Sequence, residues 1–356
     1  MGTDIGVINN NTKVRLPIAE PIIDGYKHHS LPLSILSAYP HLKPVIYTDY
    51  IQLYTIYDVL SNPNCDRHWL DFCIHNYITE MNPNPFFNTE IFDLRNIESI
   101  SDFIESSLRN NYYIYIFYNG YYRETTTNYK KQHVPNNMLI YGLDNEEDCY
   151  DVYDINYMNS TKLEMMKADK QALIESIVRL TEIKMEWLYR VAILKPIANL
   201  DHQVLDVGKV HQGLNDYLYS KNTFERFARM SSSAVMSVQK NARFGLEVYD
   251  VVDEYVQRSS IRNNVSMLPF LILWEHKKVL KNLFVELFAL EKVSDSSGLQ
   301  TQIENIEKES QALRNLILKY SATGNRTILH NLRTNLEKMK LKEAEFIEGF
   351  MNSLLI

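Results

Sequence analysis

The chain has 356 residues, enough for two domains or for one core with a large appendage. Its formal charge of −7, from 44 acidic and 37 basic side chains, argues against a general phosphate-binding surface and so against nucleic acid as a partner. No basic segment followed by an apolar core opens the chain, and its most apolar run, 265–274, is interrupted by Glu275-His276-Lys277-Lys278 and is far too short to span a bilayer.

Cys65, Cys73 and Cys149 show no metal-type CxxC spacing, and an odd count fits a reducing compartment. The expectation is a cytoplasmic chain with no membrane span, no bound metal and no cofactor.

Residues up to about Asn11 are polar and are expected to be loose. Ser30 is placed to cap a helix running into Leu31-Pro32-Leu33-Ser34-Ile35-Leu36, with Pro32 in its first turn. Residues 45–57, rich in Ile, Tyr and Thr, read as strand, and 61–88, rich in Asn and Pro, as irregular. Ser99 caps a helix whose Ile100, Phe103, Ile104 and Leu108 follow the helical period.

Three β-rich runs come next: 112–118, 138–143 and 149–155. Turn residues separate the second from the third, which predicts an antiparallel meander. The connection 119–137 is far longer than a hairpin requires, and long loops on a rigid sheet are where function tends to sit. An edge strand is expected at 162–167, a short helix capped by Asp169, and a strand over 186–194.

From about Asp206 the texture turns helical. Phe244, Val248, Val251, Val252 and Tyr255 make one apolar stripe; Leu271, Trp274, Leu280, Leu283, Phe284 and Leu287 make another. Leu299, Ile303, Ile306, Ser310, Leu313, Ile317 and Tyr320 then step alternately by four and three, a coiled-coil seam. A final helix carries Ile328, Leu332, Leu336, Met339, Phe346 and Phe350 beyond a turn at Gly324-Asn325, so 294–356 is predicted as an antiparallel helical hairpin whose seam packs internally. The fold class is therefore α+β, with an antiparallel-sheet domain over 1–200 and a helical domain over 201–356.

The phrase His133-Val134-Pro135-Asn136-Asn137-Met138-Leu139-Ile140-Tyr141-Gly142-Leu143-Asp144, preceded by Tyr129 and Lys131, resembles a segment of the family named for the N-terminal domain of butirosin biosynthesis protein H. It is also similar to the arrangement in bacteriocin-processing cysteine peptidases and their papain-like relatives, where a His enters a strand six residues ahead of a Gly. Leu273-Trp274-Glu275-His276-Lys277 is similar to relatives found beside peptide-antibiotic assembly lines.

The resemblance spans about residues 18–290 and implies a papain-like core. It also implies acyl transfer from a carrier-protein thioester to an amine in secondary-metabolite, nonribosomal-peptide-type biosynthesis. The chain departs from the pattern in two ways: six residues before Gly142 stands Asn136, with His133 the nearest imidazole, and His28, His29 and Ser30 occupy the corner where a Cys nucleophile would lie.

Ser30 is weighed as a nucleophile against a helix cap, and His133 as a general base against a loop tether. Asp154 is weighed as the carboxylate orienting that imidazole against a polar strand end. His28 and His29 with Asp24 invite a metal reading, but adjacent side chains on an extended segment diverge, so the expectation is no metal. Tyr121 and Tyr122, with Tyr129 and Lys131, are candidates for lining a substrate pocket.

On the enzyme reading, His133 takes a proton from the incoming amine, Asp154 holds its tautomer, Asn136 donates to a developing oxyanion, and Ser30 and His29 complete the corner. The alternative is a pseudoenzyme that kept the papain-like shape and docks a carrier domain or synthetase. Fold alone does not choose between them.

Overall fold

A computed structural model describes residues 8–10, 12–56, 70–74, 86–197, 205–227, 242–261, 265–294 and 297–355. Cys65, His68, Trp69 and His75 lie outside the described residues, as does the stretch 1–7. The chain divides into two compact units, 1–42 with 76–201 and 43–75 with 202–356. The segment 43–75 groups with the residues that follow 202.

The first unit is an eight-stranded antiparallel sheet. Its strands are β1 (Ile8–Asn9), β2 (Lys13–Arg15), β3 (Phe87–Asp93), β4 (Tyr113–Asn119), β5 (Pro135–Asp144), β6 (Cys149–Ile155), β7 (Leu163–Asp169) and β8 (Arg190–Pro196). The order is β1-β2-β5-β4-β8-β3, with β6 pairing β5 and β7. Strand β5 holds the sheet together: its first half pairs β4, its last residues pair β2, and β6 runs along its other edge.

The register shifts between Ile140 and Gly142. A Cβ at Gly142 would come within 2.6 Å of the Asp151 carboxylate, which takes a bidentate pair of bonds from Arg15 at 2.9 and 2.8 Å. Only glycine leaves room for that ion pair.

Three helices belong to this unit, α1 (Lys27–Ser37), α2 (Ile100–Arg109) and α3 (Lys170–Val178). Ser99 and Asp169 accept from Asp102 N and Ala172 N at 3.2 and 2.8 Å, as caps should. Helix α1 differs from expectation: it begins three residues before Ser30, at Lys27, with Tyr26 in the cap position and no side-chain cap. Ser30 is buried inside it and donates to Tyr26 O at 3.1 Å.

Residues 186–189 form a 3₁₀ turn, so β8 starts at Arg190. Strand β3, within or next to the stretch read as irregular, pairs β8 over its whole length.

In the second unit the run read as strand with one break is strand only in its latter part. Lys43–Asp49 is helical, with Pro44 in the first turn where a missing N–H costs nothing, and only Leu53–Ile56 is strand. That strand sits between Leu70–Phe72 and Ala242–Phe244 in a small antiparallel sheet. The helices are α4 (Val207–Leu218), α5 (Val248–Ile261), α6 (Leu268–Ala289), α7 (Ser297–Thr323) and α8 (Thr327–Ser353).

Gly245, at φ +52°, lets the chain turn against α4; a Cβ there would fall 2.0 Å from Tyr217 O. Helices α7 and α8 form the antiparallel hairpin, and its ends meet where Ser294 N donates to Ser353 O. The seam residues Ile303, Ile306, Ser310, Leu313, Ile317 and Tyr320 are all buried within the unit, and Phe284 of α6 packs on Phe346 and Phe350 of α8. This is internal packing of a helical bundle.

Candidate functional site

The long connection after β4 is short of freedom. Asn119 caps a 3₁₀ turn at Gly120–Tyr122 by accepting from Tyr121 N. Gly120 N donates to Val134 O, and Lys130 N to Tyr121 O. The buried Thr126 hydroxyl lies 2.6 Å from Gly120 O and 3.0 Å from Arg123 O. Closed on itself by its own side chains, the segment is an Ω-type loop pinned to the sheet.

His133 sits at the mouth of this loop, exposed, its ring stacked on Tyr121 with centroids 4.4 Å apart. Its Nδ1 is 3.0 Å from the Asn119 amide nitrogen and 3.3 Å from a Glu182 carboxylate oxygen. The Asn119 amide is oriented by its other bonds, since its nitrogen donates to Arg179 O at 2.9 Å and its oxygen accepts from Tyr121 N at 3.2 Å. A neutral imidazole accepting from that amide at Nδ1 would carry its hydrogen on Nε2, whereas one donating from Nδ1 to Glu182 would leave a lone pair on Nε2.

The Tyr122 hydroxyl also donates to Glu182, at 2.9 Å, and its titration is pushed up by desolvation and by that carboxylate. Tyr129 is tied to Glu124 at 3.1 Å, and the exposed Lys131 to Thr127 O at 3.2 Å.

Asp154, the expected partner of His133, is fully buried elsewhere. It takes an ion pair from Lys27 Nζ, the Tyr118 hydroxyl at 2.8 Å and its neighbour's amide Ile155 N at 2.7 Å. Burial first, and then the Asp154 charge, raise the Tyr118 titration well above the ordinary range. The separation from His133 has a simple origin. Tyr118, which binds Asp154, and Asn119, which binds His133, are successive residues of β4 and so leave opposite faces of the sheet.

Asn136 pairs opposite Tyr118, and its amide nitrogen lies 2.9 Å from where a Gly120 Cβ would be; it fills space beside the backbone. The Ser30 hydroxyl is bonded to its own helix. His29, buried in the first turn of α1, has its ring 4.1 Å from that of His28, so the histidines are helical neighbours and not divergent strand residues. Asp154 reaches the leading end of α1 through Lys27, while the partners of His133 are Asn119, Glu182 and the Tyr121 and Tyr122 rings, not Asp154.

The second unit holds an ionic cluster that sequence reasoning passed over. His276 and Lys277 on α6 and Glu343 on α8 are all completely buried. Lys277 Nζ makes an ion pair with Glu343 Oε1, donates to His276 Nδ1 at 2.9 Å and reaches the Tyr217 hydroxyl at 3.4 Å. His276 Nε2 donates to Ile51 O at 2.6 Å, and the Tyr249 hydroxyl donates to Glu343 Oε2, also at 2.6 Å.

Desolvation, seconded by the Lys277 charge, pulls His276 down to about 4. Burial opposes ionisation of Glu343, but Lys277 and His276 outweigh it and bring the carboxylate down to about 2. The ring is thus neutral and the ammonium and carboxylate cancel; Lys277 meets Glu343 Oε1 as an ion pair, and that oxygen has no further hydrogen bond among the described residues. Nothing in this arrangement is open to substrate; it fixes how α6 and α8 pack.

Between α5 and α8 lies a cavity of about 310 Å³ lined by Tyr249, Asp253, His330, Arg333, Thr334 and Glu337, with Arg333 clamped to Asp253 at 2.7 and 2.9 Å. A free carboxylate or imidazole at that depth has a regular alternation of charge to show only as an ordinary helix surface, and the same holds for Glu182 beside His133. The signal for the buried cluster was stronger. Glu275-His276-Lys277 stands between Leu273 and Val279 in a predominantly apolar helix, where a buried charge must be paired. Among models of known families none matches the chain, and no curated protein compared with it matches either.

Proposed function

We propose that this chain is a non-catalytic binding protein on a papain-like core, which docks a carrier domain or synthetase of a peptide assembly line. The observation that carries the reading is the state of His133. Its Nδ1 is held between Asn119 and Glu182, and Asp154, the carboxylate that would orient it, is taken by Lys27 and Tyr118. With Nδ1 accepting from Asn119 the neutral ring carries its hydrogen on Nε2, which supports a donor and not a base at the loop mouth.

What remains at the loop mouth suits recognition. Tyr121, stacked on His133 and met edge-on by Tyr122, is held by a fastened loop, and aromatic groups on a rigid frame make good contact surface.

Acyl transfer is the second reading, favoured by the exposed Nε2 donor. That hydrogen would polarise a thioester carbonyl without acting as a base. One experiment separates the two. A carrier protein loaded with an acyl thioester is mixed with a small amine and the purified chain, and amide is followed by mass spectrometry while carrier affinity is measured in parallel. Binding with no amide above the protein-free rate is expected. Amide formation that disappears in His133→Ala would replace the docking reading with the enzymatic one.

A further inference from the structure

Arg123 is about as buried as a core leucine, at 6 % exposure, yet its Nε has no hydrogen-bond partner. Its guanidinium lies over the ring of Tyr118, with Cζ 5.6 Å from the centroid. Arginine carries five donors and is never deprotonated in proteins, so an Nε–H sealed from water with no acceptor is an unmet donor on a fixed charge. Such a group in a folded chain calls for a specific explanation.

The surroundings supply one. From Arg123 the contacts run to Tyr118, from the Tyr118 hydroxyl to Asp154, from Asp154 to Lys27, and from Lys27 to the face of Tyr157 at 5.2 Å. Tyr157 N donates to Thr125 O at 2.8 Å, and Thr125 is two residues from Arg123, which closes the circuit. The Thr125 hydroxyl is buried as well and has no partner. The ring therefore holds two cations against one carboxylate, Lys27 and Arg123 against Asp154. Its two unmet polar groups are a guanidinium Nε–H and a hydroxyl, each able to donate. The Nε–H is one arm of the side-on fork with which arginine grips an oxyanion bidentately.

The geometry points to an oxyanion site at Arg123 and Thr125, taking one carboxylate or phosphate group whose charge balances the buried pair of cations. Nε and a terminal nitrogen of Arg123 bind two of its oxygens, and the Thr125 hydroxyl donates to one of them. Tyr118 beneath the guanidinium and Asp154 beyond it hold the fork in place. The site is independent of the loop-mouth surface around His133 and stands whether or not that surface docks a carrier.

Equilibrium dialysis of the full chain against labelled inorganic phosphate and labelled acetate, at constant ionic strength in chloride, tests it. One equivalent bound per chain is expected, with phosphate or acetate the tighter according to whether the site takes a phosphoryl or a carboxylate group. Arg123→Gln should weaken binding at least tenfold. Arg123→Lys, which keeps the charge but not the fork, should fall between, and Thr125→Ala should lose several-fold. If Arg123→Gln does not fold, the other two variants carry the test. No saturable binding of either anion, or equal binding in wild type and every folded variant as for an adventitious ion only, overturns the assignment.

Discussion

Each unit of this protein buries a knot of charge, and the two knots are built on opposite principles. In the helical unit Lys277 faces Glu343, His276 is neutral and the Tyr249 hydroxyl binds the second carboxylate oxygen, so the charges of these three groups cancel. In the α+β unit Asp154 answers Lys27, but Arg123 is left over with its Nε unmet. Taking an ion out of water costs several kcal/mol, recovered only when partners replace the water. A closed account of that kind belongs to structure. An open one keeps affinity in reserve for something that is not part of the chain.

The largest expected effect breaks the closed knot. Lys277→Met or Glu343→Gln leaves one buried partner uncompensated and should cost about 3–5 kcal/mol in urea unfolding, whereas the double change Lys277→Met with Glu343→Leu should restore most of it. A loss under about 1 kcal/mol in the single variants would mean the cluster is wetter than its burial indicates.

Acid sharpens the same point. His276 is held at about 4 by desolvation and by Lys277, below the roughly 6.5 of an unfolded histidine. The unfolded chain therefore binds the proton first, so this stabilisation is complete above about pH 6.5 and is lost as pH falls toward 4. Its size is on the order of 3 kcal/mol. Unfolding midpoints measured across that window should fall steeply in wild type and much less in His276→Gln. Glu343, depressed to about 2, adds a second loss beginning lower, as pH falls below about 4.3.

What the sequence discloses about these knots differs from what it discloses about the frame. The seam of α7, the caps at Ser99 and Asp169 and the meander β4–β6 were legible, because period and cap chemistry act within a few residues. Lys43–Asp49 was misread because Val, Ile, Tyr and Thr favour strands wherever packing does not decide, and here Pro44 opens a helix instead. Strand β3 was missed because its only support is a distant partner, β8. Side-chain pairing is harder still. Glu182 reaches His133, and Lys27 reaches Asp154, only after strands far apart in sequence have paired, and no local pattern marks either meeting.

The open knot can be pushed in the other direction. Asp154→Asn keeps an acceptor for the Tyr118 hydroxyl but removes the one negative charge from the ring, leaving Lys27 and Arg123 both unbalanced. Stability should drop by about 2 kcal/mol or more in the absence of anion. Phosphate affinity in dialysis should rise on the order of tenfold, because a repelling unit charge at protein-interior separations is worth roughly that much. A charge-balanced cluster has no such response, so unchanged affinity would make the two knots alike.

The smallest effect expected lies at the loop mouth. His133 is exposed, its Nδ1 contacts are to Asn119 and Glu182, and each of those has a second partner, so His133→Ala should shift stability by no more than about 0.5 kcal/mol. The informative measurement is the ring itself. Nitrogen-15 spectra of the neutral ring should find Nε2 bearing the hydrogen and Nδ1 accepting. A neutral ring with the hydrogen on Nδ1 would place that proton against Glu182 and turn a lone pair outward. The imidazole would then be a competent base with its orienting carboxylate already in contact, and the comparison of the two units would gain a third, catalytic, term.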